Sequence, residues 1–89
     1  NNMNKVELDI ANIHTVRALH VYLAYKLNLP TYYGGNLDAL YDALGDVAEP
    51  TNLVLRGAPA SDEIAAYLPR LTRVLEDAAA ENRNVELTR

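Results

Sequence analysis

Residues 29–46 read LPTYYGGNLDALYDALGD, and this stretch decides how the surrounding chain folds. Pro30 ends the helix before it, because proline has no backbone N–H and pushes its preceding neighbour out of the helical region. The glycine pair after the two tyrosines permits a sharp turn, since glycine adopts backbone angles that other residues avoid. Asn36 is a favourable N-cap, so we expect a second helix to begin at Leu37.

The helix after this turn is predicted to have one apolar face and one acidic flank. Its apolar residues recur at helical spacing and predict a buried stripe made of Leu37, Leu40, Tyr41, Leu44 and Ala48. Tyr41 lies at the edge of this stripe, beside three aspartates that recur every four residues, namely Asp38, Asp42 and Asp46. Like charges at this spacing repel by roughly a few tenths of a kcal/mol per pair. A sequence that accepts this cost on an exposed face points to a functional role for the acids.

The negative charge of the chain is concentrated in the same segment. No basic residue lies between Lys26 and Arg56, whereas the rest of the chain has equal numbers of acids and bases and the formal net charge is -4. A solvated helix face is the ordinary interpretation of such acids. Here the missing basic partners and the adjacent tyrosines Tyr32 and Tyr33 favour a binding surface. The acidic charge of the chain argues for a basic partner and against nucleic-acid binding.

Length and composition set the remaining limits. The 89 residues are predicted to form one domain, with 49% hydrophobic residues and no cysteine for a disulfide or a thiolate metal site. No apolar run reaches the roughly 20 residues of a membrane span, and no signal-peptide pattern is visible. We therefore expect a cytoplasmic protein without a membrane segment. Asn1 and Asn2 precede Met3 and are interpreted as an addition to the natural N-terminus.

Three segments have the patterns of β-strands. Residues 6–10 and 85–88 alternate apolar with polar side chains, which is typical of strands with one wet face. Residues 53–55, LVL, are continuously apolar, which is typical of a more buried central strand.

Helical patterns separate these strands. Thr15 is predicted to cap a helix whose apolar stripe reaches Leu27, and Ser61 to start another that Pro69 interrupts by opening or kinking the next segment. The last helical pattern runs to about Asn82. Strands separated by helices predict parallel pairing through right-handed crossovers. The predicted fold class is therefore α/β, a two-layer domain with a three-stranded parallel sheet and helices packed on one face.

The stretch LPTYYGGNLDALYDAL resembles the signature of the barstar family, intracellular protein inhibitors of the bacterial ribonuclease barnase. The family pattern is Leu-Pro-x-Tyr-Tyr-Gly-x-Asn-Leu-Asp-Ala-Leu followed by an aromatic residue and an aspartate, and every position matches from Leu29 to Asp42. The resemblance implies a barstar-like fold with the second strand in the middle. It also implies a 1:1 complex in which the acidic helix and the Tyr-Tyr-Gly turn fill the active-site cleft of a basic, secreted ribonuclease of the barnase type.

The same resemblance implies roles for individual residues. Asp42 matches the central aspartate that enters the nuclease catalytic site, Asp38 matches the aspartate at the helix start, and Tyr32 matches the tyrosine that packs on the catalytic histidine. Asp77 stands where the family has an interface glutamate. The full expected partner-binding set is Tyr32, Tyr33, Gly34, Asn36, Leu37, Asp38, Tyr41, Asp42, Asp46 and Asp77. We expect Tyr33 to be the more buried tyrosine of the pair.

The chain also departs from the family pattern. Tyr41 replaces the usual tryptophan, Val47 stands where the family has an aromatic residue, and Asp46 adds an acid beside it. These departures concern the identity of the ribonuclease partner. One alternative is therefore a barstar-fold interaction module or antitoxin that binds a different basic protein. Another is a structural subunit whose acidic helix only keeps it in solution.

Catalysis is not expected. Asp38 and Asp42 lie side by side on one helix, whereas the paired carboxylates of glycosidases face each other across a cleft. His14 and His20 have no nucleophile or carboxylate partner in the sequence and are interpreted as surface or partly packed residues. No spacing indicates a metal site or a cofactor.

Overall fold

Helices separate the strands along the chain as the sequence predicts. The computed structural model describes residues 3–89, so the interpretation of Asn1 and Asn2 lies outside the described residues. The elements in chain order are β1 (Asn4–Asp9), α1 (Val16–Lys26), α2 (Leu37–Gly45), β2 (Thr51–Arg56), α3 (Asp62–Glu81) and β3 (Val85–Thr88). Within the described residues no helix is long and apolar enough to cross a membrane.

The strands in residues 3–89 form one parallel sheet in the order β1-β2-β3, with β2 in the middle as predicted. In this register Val6 lies beside Leu53, and Leu53 lies beside Leu87, so that their side chains share the face toward the helices. The other face is polar, and there the Thr88 hydroxyl donates to Asn52 Oδ1 at 3.1 Å. The two-layer α/β prediction is therefore confirmed.

The core lies between the sheet and the helices. Its fully buried side chains come from the sheet and all the helices, and the largest are Leu8, Ile10, Leu19, Leu23, Leu40, Leu44, Leu53, Ile64, Leu71 and Leu75. Because β2 is in the middle of the sheet, Leu53 is buried between both neighbouring strands and the helical layer.

Side-chain caps begin each helix in the described chain. The backbone N–H groups of Ala18, Ala39 and Ile64 donate to the side chains of Thr15, Asn36 and Ser61 at 3.0, 2.8 and 3.1 Å. These bonds satisfy N–H groups that have no partner inside the helix. The predicted starts of α1, α2 and α3 are therefore confirmed.

The end of α1 is set by Asn28 rather than by Pro30 alone. Asn28 has a left-handed backbone (φ 55), and the N–H of the following Leu29 donates to the carbonyl of Ala24 at 2.9 Å. Together with the bond from the Asn28 N–H to the Tyr25 carbonyl, this is a Schellman motif. The helix therefore stops before Pro30, which directs the chain into the turn.

One prediction about the helices is wrong, and one of the two alternatives for Pro69 is excluded. Ala48 is exposed and does not extend the buried stripe of α2, because the helix ends at Gly45, where the Asn82 side chain bonds the Leu44 and Val47 carbonyls at 2.9 Å. Pro69 does not open a separate segment but lies inside the continuous helix α3. Pro69 and Ala65 are both exposed, so water can bond the carbonyl that proline leaves without an N–H partner.

Candidate protein-binding surface

The recognition turn, which we define as residues 30–36, joins α1 to α2. Its backbone is closed by the Tyr33 N–H, which donates to the Pro30 carbonyl at 2.9 Å. Gly35 adopts a left-handed backbone (φ 69) that strains any residue with a side chain. A Cβ atom on Gly34 would approach the Ala39 Cβ at 3.5 Å, an ordinary contact. The predicted sharp turn is present, and Gly35 is the glycine that it requires.

The two tyrosines of the turn point in different directions. The Tyr32 side chain is 86% exposed, whereas Tyr33 is half-buried. The prediction that Tyr33 is the more buried of the pair is therefore confirmed. The turn holds one aromatic ring against the protein and presents the next one to solvent.

A buried histidine anchors the inner tyrosine. His20 on α1 is only 3% exposed, and its Nδ1 atom lies 2.6 Å from the Tyr33 hydroxyl oxygen. Its Nε2 atom lies 2.8 Å from the Tyr67 hydroxyl oxygen on α3. The interpretation of His20 as a surface or partly packed residue is wrong, because two tyrosines from other parts of the chain cover it. His14, by contrast, is exposed.

The protonation of this cluster follows from its burial. Desolvation lowers the pKa of His20 below its ordinary value, which favours the neutral imidazole. Burial, together with the neighbouring Tyr67, raises the pKa of Tyr33 to about 12. A neutral imidazole has one donor and one acceptor nitrogen, so one tyrosine donates to His20 and the other accepts. Within residues 3–89 no buried side-chain nitrogen or oxygen lacks a partner.

An acidic groove of about 510 Å³ lies between the recognition turn and α2. One side is formed by residues 27–30 and 32–34, and the other by Ala39, Asp42, Ala43, Asp46 and Val47. Asp42 and Asp46 are exposed, and in the described part of the chain neither of them forms an ion pair. The groove therefore combines free negative charge with apolar and aromatic surface.

The acidic groove brings together half of the expected binding residues. Those that line it are Tyr32, Tyr33, Gly34, Asp42 and Asp46. Asn36 and Leu37 lie at the start of α2, where Asn36 is the cap and Leu37 is half-buried. Neither of them lines the groove.

The other expected residues lie outside the groove lining. Asp38 is exposed in the first turn of α2, and Tyr41 is 37% exposed at the edge of its buried stripe. Asp77 is exposed on α3 and lies 3.6 Å from the Arg73 guanidinium in an ion pair. The α2 flank thus continues the acidic surface at Asp38, whereas Asp77 lies on another helix and carries its own counter-charge.

Two features near the turn were not predicted from the sequence. Tyr67 lies three residues after Ile64 and four before Leu71, a helical spacing that could have predicted its inward direction. The second is a groove of about 750 Å³ on the α1 side of the turn, beside the exposed side chains of Val21 and Tyr25. The four-residue spacing of Val21 and Tyr25 on α1 could have predicted that surface.

The acidic groove is not a candidate metal site. Within the described residues no group of three or more histidine or acidic side chains could hold a metal ion. The arrangement places exposed carboxylates beside an exposed tyrosine. Such a surface can pair with cationic groups and stack against a planar one.

Comparison with known proteins agrees with this geometry. A family model described as "Barstar (barnase inhibitor)" matches residues 3–88. A protein of Bacillus subtilis strain 168 named "Putative ribonuclease inhibitor YrdF" is 37% identical over 81 residues, which cover 89% of each chain. The match spans nearly every described residue, including the recognition turn, α2 and α3. The chain belongs to the barstar family of barnase inhibitors.

Proposed function

We propose that this protein inhibits a basic, secreted bacterial ribonuclease of the barnase type by forming a 1:1 complex. The observation that carries the proposal is the acidic groove, in which Asp42 and Asp46 have no counter-charge beside the exposed ring of Tyr32. Family membership supplies the class of partner. We further propose that the protein acts in the cytoplasm, where the RNA to be protected lies.

The proposed inhibition is physical exclusion without a chemical step. The active site of a ribonuclease is lined with cationic groups that bind RNA phosphates. The carboxylates of Asp38, Asp42 and Asp46 would take the places of phosphate oxygens and accept charge-assisted hydrogen bonds, which are shorter and stronger than neutral ones. Tyr32 would cover a planar group at the edge of the site, while the turn itself blocks RNA.

The central test compares two acidic residues of the same segment. We expect Asp42→Ala to weaken binding to barnase by about 30-fold or more, because truncation leaves desolvated cationic groups of the nuclease without a partner. Glu49→Ala is the matched control: it removes the same charge from an exposed position after α2, and we expect a change of less than about threefold. Calorimetric titration and inhibition of RNA cleavage are both measured.

Equal and small effects of the two substitutions would contradict this use of the groove. Tight binding of barnase by the unmodified protein without inhibition of cleavage would contradict exclusion of RNA. Both assays are run at low and moderate salt, so that a nonspecific attraction between opposite charges can be separated from a specific complex.

A second candidate is a barstar-fold module that binds a different basic protein. The observation that favours it is the position of the departures from the family pattern: Asp46 and Val47 line the acidic groove, and Tyr41 lies on the same helix. Failure to inhibit any of a panel of barnase-type ribonucleases, with intact folding by circular dichroism, would support this candidate. If a basic partner captured by the unmodified protein is no longer captured by Asp42→Ala, the acidic groove is assigned to the binding of that partner.

A further inference from the structure

The recognition turn is connected to α3 by a chain of hydrogen bonds that passes through the core. The Tyr67 hydroxyl lies 2.8 Å from His20 Nε2, and the Tyr33 hydroxyl lies 2.6 Å from His20 Nδ1. The Tyr33 hydroxyl also lies 3.4 Å from the carbonyl oxygen of Asn36, the N-cap of α2. One continuous set of contacts therefore joins α3, α1, the turn and the start of the acidic helix.

The cluster is packed as well as bonded. The His20 ring centroid lies 5.9 Å from that of Tyr33 and 5.8 Å from that of Tyr67, with an edge-on arrangement toward Tyr67. His20 is 3% exposed, so a ring nitrogen that loses its partner has little access to water. Loss of the Tyr67 hydroxyl would therefore leave Nε2 unsatisfied and remove the bond that fixes the orientation of the imidazole.

The turn has few other constraints. Its backbone holds two glycines, which lose more conformational freedom on ordering than other residues, and its Tyr33 N–H is bonded to Pro30 within the turn itself. Tyr32 is almost fully exposed and receives no support from the core. If a turn is disordered before binding, ordering it costs free energy and so weakens the affinity. Besides the Asn36 cap at the end of the turn, the bond from Tyr33 to His20 is a side-chain anchor against this loss.

We propose that Tyr67, acting through His20, is a positioning residue that holds the recognition turn in its binding conformation. Tyr67 itself lies on α3, outside the lining of the acidic groove. Its effect on a partner passes from its hydroxyl to the imidazole, to Tyr33 and so to Tyr32 and the α2 cap. The consequence for affinity rests on the proposed function, whereas the ordering of the turn is a property of the free protein.

The first test uses the free protein and Tyr67→Phe. This substitution removes the hydroxyl but keeps the ring, over which the Arg70 guanidinium lies at 5.3 Å from the centroid. We expect amide hydrogen exchange at Tyr33 and Ala39 to become about five- to tenfold faster relative to Leu53 in the middle strand, which reports global unfolding. Both reporter amides are bonded, to the Pro30 carbonyl and the Asn36 side chain.

The matched control is Tyr22→Phe. The Tyr22 hydroxyl also joins α1 to another element, since it accepts from the Asp9 N–H at 2.9 Å, but it does not contact the turn. We expect this variant to leave the exchange ratio of the turn to the middle strand unchanged. Unchanged exchange at Tyr33 and Ala39 in Tyr67→Phe, or an equal increase in Tyr22→Phe, would overturn the proposal.

The second test is a double-mutant cycle with barnase, read as dissociation constants from stopped-flow or surface kinetics. We expect Tyr67→Phe alone to weaken binding by about fivefold, and the same substitution to have almost no effect in a Tyr32→Ala background, where the positioned ring is absent. An equal effect in both backgrounds would overturn positioning of Tyr32. Failure of every variant and of the unmodified protein to bind would count against the proposed function, while hydrogen exchange alone would then decide the role of Tyr67.

Discussion

At the scale of single residues, the cluster of His20, Tyr33 and Tyr67 links the core to the binding surface. The same hydrogen bonds that satisfy a buried imidazole also hold the inner tyrosine of the recognition turn. The two adjacent tyrosines thus have different environments: Tyr33 is bonded to the core, and Tyr32 is exposed to solvent.

The stability of the protein is expected to fall in mild acid because of His20. Its pKa is lowered by burial in the folded state, so the unfolded chain takes up the proton first, near the ordinary value of 6.5. The stability contribution is therefore present above pH 6.5 and is lost as the pH falls through and below this value. Urea unfolding measured at pH values from about 7.5 to about 5, the range in which histidine titrates, tests how the free energy of unfolding changes with pH.

His20→Gln should reduce this acid dependence even though it lowers stability at every pH. His14→Gln is the control, since His14 is exposed and makes no side-chain contact with the cluster. The prediction is contradicted if the pH dependence of the free energy of unfolding persists in His20→Gln and disappears in His14→Gln.

At the scale of elements, the end of α2 is determined by Asn82, the residue that follows α3. The Asn82 side-chain amide donates to the Leu44 and Val47 carbonyls at 2.9 Å, and its Oδ1 accepts from the Asn84 N–H at 2.9 Å. These bonds stop the acidic helix at Gly45 and direct Val47 into the groove wall. The length of the binding helix is thus set by a contact that lies almost forty residues away in sequence.

Asn82→Ala is expected to destabilise the fold by about 2–3 kcal/mol, because several half-buried carbonyl and amide groups lose their partner together. Urea unfolding measures this change. Asn84→Ala is the milder control, since its side-chain bond to the Val47 carbonyl is longer, at 3.3 Å. If the two variants lost equal stability, Asn82 would have no special part in ending α2.

At the scale of the whole molecule, charge is divided between opposite faces. The acids of α2 stand without basic neighbours, whereas Glu7 on the open face of the sheet pairs with Lys5 at 3.4 Å and with Arg56 at 3.3 Å. Because the acids and bases outside residues 27–55 are equal in number, the long-range field comes chiefly from the segment that contains α2. This asymmetry favours approach of a basic partner toward the groove.

Asp46→Asn is therefore expected to slow association with barnase about two- to fivefold at low salt, and less at moderate salt, where the Debye length is shorter. Glu86→Gln removes the same charge from an exposed position on the other face of the sheet and should slow association far less. Stopped-flow association rates measured over a salt series make the comparison. Equal slowing by both variants would show that only net charge matters.

Much of the fold and part of the candidate site could be predicted from the sequence, because the responsible interactions are local. The caps Thr15, Asn36 and Ser61 bond to N–H groups three residues away, and the strand patterns record which face is buried. The signature from Leu29 to Asp42 indicated the family for the same reason, since the turn and the acidic flank are built from consecutive residues.

The sequence by itself determined the order of elements, the parallel sheet, the sharp turn and the acidic flank of α2. Only the tertiary structure decided that His20 is buried, that the Tyr67 hydroxyl lies against it and that α2 ends at Gly45 instead of continuing to Ala48. The physical reason is distance along the chain: His20 and Tyr67 are 47 residues apart, and Asn82 and Leu44 are 38 apart. A hydrogen bond between such residues depends on how the elements pack, and no local pattern of side chains records it.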